Sequence, residues 1–290
     1  MADAAASAAR PPSLPAGLRV LGPLAVIVVL FVYPFSLIAG EALTGGQGAL
    51  SLDFFAKVFA TNAFRVAFLH TLQISIAASV GCLIVGFVIA LALAFVPFPG
   101  SRTVARLIET FIALPTFLAA LAFTFLYGSA GVLNEVLMEL FGLTHPPVDF
   151  LYSPWGVILA EITVYTPFVM RPLLAAFSLI DVAQIEAASS LGARPMRIVW
   201  QIILPAAIPA LLAGGSLCLL LTVNEFGIVL FIGAKGVITL PLLIYDKAIQ
   251  EFDYTTACVI AVVNVALSLS LYSLYRVLVV RFGGRRAGVV

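Results

Sequence analysis

Long apolar stretches separated by short polar intervals dominate the pattern of the chain. A helix needs about 20 mostly apolar residues to cross the roughly 30 Å of hydrocarbon in a bilayer. Six stretches reach that length: residues 21–39, 64–96, 104–127, 155–177, 205–232 and 255–280. The second and the fifth are longer than one span, so we expect an interfacial turn within each. The pattern therefore predicts an all-α integral membrane protein with six transmembrane helices.

The composition agrees with this pattern. Hydrophobic residues make up 62% of the 290 residues, charged residues make up only 10%, and the mean hydropathy is +1.16. Because soluble domains carry about a quarter charged residues, this composition excludes an ordinary soluble globular protein. The first apolar run is longer than the roughly 7–15-residue core of a signal peptide, so it is interpreted as a retained span.

Most basic residues fall on one side of the predicted arrangement. Of the 15 Lys and Arg residues, eleven lie at the termini or near the intervals after the second and fourth runs: Arg10, Arg19, Arg102, Arg106, Arg171, Arg194, Arg197, Arg276, Arg281, Arg285 and Arg286. The positive-inside rule assigns that side to the cytoplasm. With an even number of spans, both termini are expected to be cytoplasmic.

The polar intervals also divide the chain into parts. These are an N-terminal tail at 1–20, the first span with its outer loop at 21–63, a core transmembrane region at 64–280 and a C-terminal tail at 281–290. Apolar residues at helical spacing within 131–154 predict a short outer-surface helix, which Pro146-Pro147 is expected to close. Prolines 115, 167 and 172 predict bends in the third and fourth spans.

The interval between the fourth and fifth runs carries the most specific pattern. Asp181 is a suitable N-cap, and Gly192 suits the left-handed position that ends a helix. A helix is therefore expected over 182–191, with small residues along one face. A second helix should start at Pro195 and end at Leu204-Pro205. The small face favours the docking of another protein, and an amphipathic helix lying on the bilayer is the alternative.

Seven residues of this interval resemble the EAA motif of permease subunits of bacterial ABC importers, at the spacing of that family throughout. They are Glu186, Ala187, Ala188, Gly192, Ile202, Leu204 and Pro205. The resemblance implies a type I importer permease fold over roughly 64–280 and a location in the bacterial cytoplasmic (inner) membrane. It also implies that the short helix is a coupling helix, which docks on a separate ATP-binding subunit.

The same resemblance implies the partners: two ATP-binding cassette subunits, a second permease subunit (an identical copy or a paralogue), an extracytoplasmic solute-binding protein and the lipid bilayer, with no nucleic acid. The chain itself contains no phosphate-binding loop, because none of its lysines is followed by Ser or Thr. ATP hydrolysis is therefore expected in the partner, and no catalytic residue, cofactor or metal is expected in this chain.

Two carboxylic acids, Glu225 and Glu161, lie inside apolar runs, where insertion costs roughly 2.5–3.5 kcal/mol. For Asn224, Glu225 and Phe226 the functional hypothesis is a translocation path or outer gate. The alternative is a hydrogen bond between helices, to Thr222 or Thr163, which stabilises the fold. For Glu161 the structural interpretation is favoured.

The cargo is less firmly indicated. The segment from Asn224 to Tyr245 resembles permeases for 2-aminoethylphosphonate. A similar Asn-Glu-Phe-Gly or Gly-Glu-Phe-Gly element also occurs in relatives that import sulfate, molybdate, ferric iron or polyamines, so these cargoes stay open. An alternative from another class is a stand-alone ion-coupled secondary transporter with Glu225 as its ion site, although this would leave the EAA-like segment unexplained.

Overall fold

The computed structural model describes residues 16–45, 48, 50–233 and 236–283. The predicted tails, 1–20 and 281–290, lie largely outside these residues. The described part of the chain forms the helices α1 (Ala16–Ile27), α2 (Tyr33–Thr44), α3 (Asp53–Ala60), α4 (Asn62–Phe95), α5 (Ser101–Thr110), α6 (Thr116–Tyr127), α7 (Val132–Phe141), α8 (Pro154–Phe177), α9 (Val182–Ser190), α10 (Pro195–Ile198), α11 (Leu204–Val223), α12 (Gly227–Ile232), α13 (Leu240–Tyr245) and α14 (Tyr254–Gly283).

Six helical segments of the described residues are long and apolar enough to cross a membrane, as the sequence predicts. They are Leu21–Thr44, Asn62–Phe95, Thr116–Phe141, Pro154–Phe177, Pro195–Val223 and Tyr254–Val277. Within the first of these, a single π-helical turn, Val28–Val32, joins α1 to α2. Large apolar side chains remain exposed along the spans, as expected for helices that face lipid.

The third segment lies further along the chain than the predicted run at 104–127. Leu114 is extended, with φ −82° and ψ 130°, and Pro115 follows it as the N-cap of α6. A proline disfavours helical geometry in the preceding residue and cannot donate a helical hydrogen bond. Pro115 therefore separates α5 from α6 instead of bending one span. By contrast, Pro167 and Pro172 lie within α8, which stays one helix.

Two expected helix ends are wrong. The short helix expected within 131–154 exists as α7, but it ends at left-handed Gly142, with φ +61°, before the proline pair is reached. The second helix does not end at Leu204-Pro205, because a π-helical turn, Val199–Ile203, connects α10 directly to α11. In this wider turn the Leu204 N–H bonds the Val199 carbonyl, and Pro205 follows without breaking the span.

Of the two long runs in which a turn was expected, only the fifth is interrupted. The second run is one helix, α4, of 34 residues. At 1.5 Å per residue it is about 51 Å long, so it extends beyond the hydrocarbon. The fifth is interrupted at residues 224–226, between α11 and α12.

The centre of the bundle is formed by α4, α8 and α11, which share the most extensive contacts. Gly214 of α11 permits this close packing, because a Cβ there would lie 2.9 Å from the Val169 Cα of α8. A second apolar cluster joins α2, α3, α4, α13 and α14 near residues such as Phe64 and Leu240.

Candidate functional site

The short helix α9 is defined at both ends by its own residues. Asp181 is the N-cap, and its Oδ1 accepts a hydrogen bond of 2.9 Å from the N–H two residues on. At the other end Gly192 is left-handed, with φ +80°. The N–H groups of Gly192 and Ala193 bond the carbonyls of Ser189 and Ala188, at 2.9 and 3.0 Å. These two bonds form a Schellman motif, and the predicted bounds are confirmed to within one residue.

Helix α9 has one anchored face and one exposed face. Ile185 and Ala188 pack against the core of the bundle. The other seven residues of α9, Glu186 and Ala187 among them, are exposed, and so are Leu191 and Gly192 directly after the helix. The Leu191 side chain is 88% exposed, and a Cβ at Gly192 would meet no atom within 4 Å. The helix therefore presents an open surface to one side and is fixed to the spans on the other.

The remaining residues of the EAA-like segment lie where the fifth span begins. Ile202 belongs to the π-helical turn and packs against the core. Leu204 and Pro205 start α11, and both are partly buried. Ile202 and Asp181 line one groove of about 450 Å³. The segment thus lies partly in the exposed helix α9 and partly at the start of the fifth span.

A second candidate site lies at the break between α11 and α12. Glu225 is only 5% exposed. Its Oε1 accepts a 2.8 Å hydrogen bond from the Ile228 N–H, and its Oε2 accepts one from the hydroxyl of Tyr165 on α8. The first bond caps the start of α12, and the second joins the break to the fourth span. Glu225 therefore has a fixed orientation and a stabilising role.

The partners that the sequence suggested for Glu225 are wrong. The Thr222 Oγ1 lies 3.2 Å from the Ser79 Oγ, and the Thr163 hydroxyl donates to the Leu159 carbonyl of its own helix. A helical threonine often bonds a carbonyl one turn back, which leaves Thr163 occupied. Sequence reasoning missed Tyr165, although a tyrosine within a span usually needs a partner for its hydroxyl.

Asn224 connects the break to the sixth span. Its Nδ2 donates to the Leu220 carbonyl at 2.8 Å and to the Ser268 Oγ at 3.3 Å, while its Oδ1 accepts from the Asn264 Nδ2 at 3.0 Å. The polar residues of the break therefore join three spans: α11, α8 and α14. Movement of any of these spans would strain the hydrogen bonds at the break.

The break also borders a cavity of about 570 Å³. Asn224, Glu225 and Phe226 all line it, together with Thr116 and Phe117 at the start of α6. Gly227 allows the two segments to approach, because a Cβ there would lie 2.6 Å from the Thr116 Oγ1. The three residues proposed for the path or gate are thus together at one cavity and also hold helices together.

Glu161 is completely buried, at 0% exposure, and neither carboxyl oxygen has a hydrogen-bond partner among the described residues. The interhelical hydrogen bond expected for it is therefore not formed. It lies four residues before Tyr165 on the same face of α8. Within the described residues, no group of three or more His, Cys, Asp and Glu side chains is arranged to hold a metal.

Comparison with known proteins agrees with this architecture. Residues 82–284 match the family described as "Binding-protein-dependent transport system inner membrane component". A protein of Salmonella typhimurium (strain LT2) named as a 2-aminoethylphosphonate transport system permease, PhnU, is 60% identical over 268 residues, which cover 92% of this chain and 94% of that protein. The sulfate transport system permease protein CysT of the same strain is 30% identical over 264 residues, covering 90% of this chain and 92% of CysT.

Solved structures show the same fold. A chain of a bacterial ABC transporter for the import of alginate superposes with a TM-score of 0.78 at 20% identity, covering 91% of this chain and 95% of that chain. A chain of the MetNI methionine ABC transporter in an inward-facing conformation gives 0.55 at 21% identity, covering 73% of this chain and 93% of that chain. The fold is therefore that of type I importer permeases.

Proposed function

The chain belongs to the family of binding-protein-dependent transport system inner membrane components, as a permease of an ABC importer, and we propose that its cargo is 2-aminoethylphosphonate or a close aminophosphonate. The observation that supports this cargo is the 60% identity to the PhnU permease over 92% of the chain, compared with 30% identity to the sulfate permease. Family membership also sets aside the stand-alone secondary transporter.

In this proposal α9 is the coupling helix. Its exposed residues, Glu186 and Leu191 among them, would contact an ATP-binding subunit that hydrolyses ATP. Ile185 and Ala188 pack against the bundle, so a push on α9 would reach α8 and α11. The complex would contain two ATP-binding subunits and a second permease, identical or paralogous, as the family resemblance implies.

The orientation of the chain follows from the same assignment. Arg194 lies in the turn after α9 and Arg197 in α10, which follows it, while Arg102 and Arg106 lie in α5, directly after the turn that ends α4. The positive-inside rule supports a cytoplasmic location for both turns and for the two termini. The opposite loops would then receive the solute-binding protein.

One outer loop has a feature that suits such docking. Phe252 adopts a left-handed backbone, with φ +57°, and its ring is 69% exposed. Left-handed geometry is strained for an aromatic residue, and such strain is concentrated at functional sites. Ile249 and Tyr254 are exposed beside it. This patch is the proposed contact with the binding protein.

The transport path is assigned to the cavity at Asn224, Glu225 and Phe226. Because these residues bond α8 and α14, rocking of the spans would alter the cavity and the bonds together. This supports alternating access, in which the break opens toward one side of the membrane at a time.

Affinity purification from gentle detergent tests the coupling assignment. We expect wild type to retain an ATP-binding subunit and Gly192→Glu to lose most of it, because a bulky charge would enter the open turn. Gly142→Glu is the matched control, since Gly142 is also left-handed with open space around it but lies on another loop. Equal retention by Gly192→Glu and Gly142→Glu would contradict the assignment.

Proteoliposomes that contain the whole complex and its binding protein test the cargo. ATP-dependent uptake of radiolabelled 2-aminoethylphosphonate is expected, with little competition from sulfate. Uptake of sulfate in preference to the aminophosphonate would favour the sulfate class instead.

A further inference from the structure

The inner turn between α4 and α5 contains a groove that the proposed transport cycle does not use. Its volume is about 690 Å³, and seven of its eight lining residues have apolar side chains, the eighth being Ser101. Leu93, Val96 and Phe98 are part of this lining, and Val96 and Phe98 are also exposed. An exposed apolar groove at the end of a membrane-spanning helix is suited to the glycerol and upper acyl region of a lipid.

Helix α5 begins beside this groove, and its apolar and basic residues lie on different faces. Val104, Leu107 and Ile108 lie on one face at helical spacing, while Arg102 and Arg106 lie on the other. Ile108 packs against the core of the bundle, whereas the Leu107 side chain is 63% exposed. The helix is therefore fixed to the bundle with apolar surface still uncovered, as in helices that lie in a membrane interface.

The charges of α5 are unbalanced. Glu109 lies one turn after Arg106 on the same face, and it forms a solvent-exposed ion pair with Arg171 of α8, with 3.7 Å between Oε1 and Nε. The other ion pair within the described residues is Lys247–Glu251, so neither Arg102 nor Arg106 has an acidic partner there. The two arginines are one helical turn apart, with Cβ atoms separated by about 5–6 Å. This pair is free to bind an anion.

We propose that the groove and α5 form a binding site for an anionic phospholipid of the cytoplasmic leaflet. Arg102 and Arg106 would bind the headgroup phosphate, for which guanidinium groups have complementary geometry. Val96 and Phe98 would contact the apolar part of the same molecule. The exposed apolar side chains of Val96 and Phe98 favour a lipid over a soluble phosphate, which would leave them in water.

Lipids already surround the spans, but this site would bind anionic lipids in preference to neutral ones. It joins the inner ends of α4 and α5, and α5 is bonded to α8 through Glu109 and Arg171. The lipid would therefore fix α5 against the helix that precedes α9. The site depends on the placement of the spans and not on the cargo, so its test is independent of 2-aminoethylphosphonate uptake.

Native mass spectrometry of the full permease–ATPase complex tests the proposal, after exchange into phosphatidylcholine with or without phosphatidylglycerol. Wild type should retain phosphatidylglycerol in preference to phosphatidylcholine. Removing each arginine should weaken this preference about fivefold, and Arg102→Gln with Arg106→Gln should weaken it roughly thirtyfold. Arg276→Gln is the matched control, because Arg276 is exposed at the inner end of α14 away from the groove.

Two further variants test the effect of positive charge and the effect of groove shape on lipid retention separately. Arg102→Lys with Arg106→Lys should keep part of the preference, because the positive charge remains while the bidentate guanidinium geometry is lost. Ala94→Phe should reduce lipid retention by filling the groove without a change of charge. The proposal is overturned if wild type shows no preference for phosphatidylglycerol, or if the Gln variant matches Arg276→Gln. It is also overturned if the Gln variant loses the ATP-binding subunit equally in both lipids, because the surface would then belong to that partner.

Discussion

Replacing Glu161 by methionine should stabilise the protein, although it removes a polar residue from the centre of the bundle. Glu161 is fully buried, and neither of its carboxyl oxygens is hydrogen-bonded among the described residues. A buried polar group without a partner costs about 1–3 kcal/mol on mutational scales. Methionine has a similar shape, and volume-conserving exchanges cost less than about 1.5 kcal/mol. We therefore expect a net gain of about 1 kcal/mol.

Glu225→Met provides the comparison, with the opposite sign. Glu225 is also buried, but it accepts hydrogen bonds from the Tyr165 hydroxyl and the Ile228 N–H. Its removal leaves both donors without a partner, at about 1–3 kcal/mol for each. The two substitutions change the same chemical groups in the same bundle. Glu225 is hydrogen-bonded and Glu161 is not, so the signs of the two effects test these contacts.

The assay is thermal unfolding of the purified complex in one detergent, followed by intrinsic fluorescence and by the fraction that stays monodisperse after heating. For a chain of this size, 1 kcal/mol corresponds to a shift in Tm of roughly 2–4 °C. We expect a rise of that size for Glu161→Met and a fall for Glu225→Met. A fall in Tm for both variants would refute the reasoning, since it would mean that Glu161 makes a stabilising interaction.

Two further predictions concern packing and docking. Gly214→Ala should destabilise the bundle by about 1–3 kcal/mol, because its Cβ would lie 2.9 Å from the Val169 Cα. Gly40→Ala is the control and should be neutral or slightly stabilising, because there is open space around Gly40. Equal Tm values for the two variants would contradict the close packing of α11 on α8. Phe252→Gly should relieve the left-handed strain yet raise the concentration of binding protein needed for half-maximal ATPase stimulation, because the exposed ring is lost. An unchanged concentration would exclude Phe252 from the docking surface.

Features encoded over short distances could be predicted from the sequence. The number of spans follows from the length of apolar runs, since the bilayer sets one length for all of them. The ends of α9 follow from Asp181 and Gly192, because a cap and a left-handed turn involve only residues that are neighbours along the chain. The family resemblance rested on the same segment for the same reason.

Where alternatives were locally similar in energy, the sequence did not decide between them. Pro115 separates two helices, whereas Pro167 and Pro172 lie inside α8, and Pro205 follows a π-helical turn without ending the span. A proline removes the same donor in each case. The result depends on whether neighbouring helices hold the chain straight, which is a property of the assembled bundle.

The polar contacts inside the membrane were decided by the tertiary structure alone. The sequence showed that Glu161 and Glu225 lie within apolar runs, but not that Tyr165, 60 residues away, would bind Glu225. Nor did it show that Glu161 would have no hydrogen-bond partner among the described residues. Such a pairing depends on the rotation of each helix about its axis and on the close approach that Gly214 and Gly227 permit. The apolar pattern fixes which segments enter the bilayer, and packing between the helices then determines which polar groups meet there.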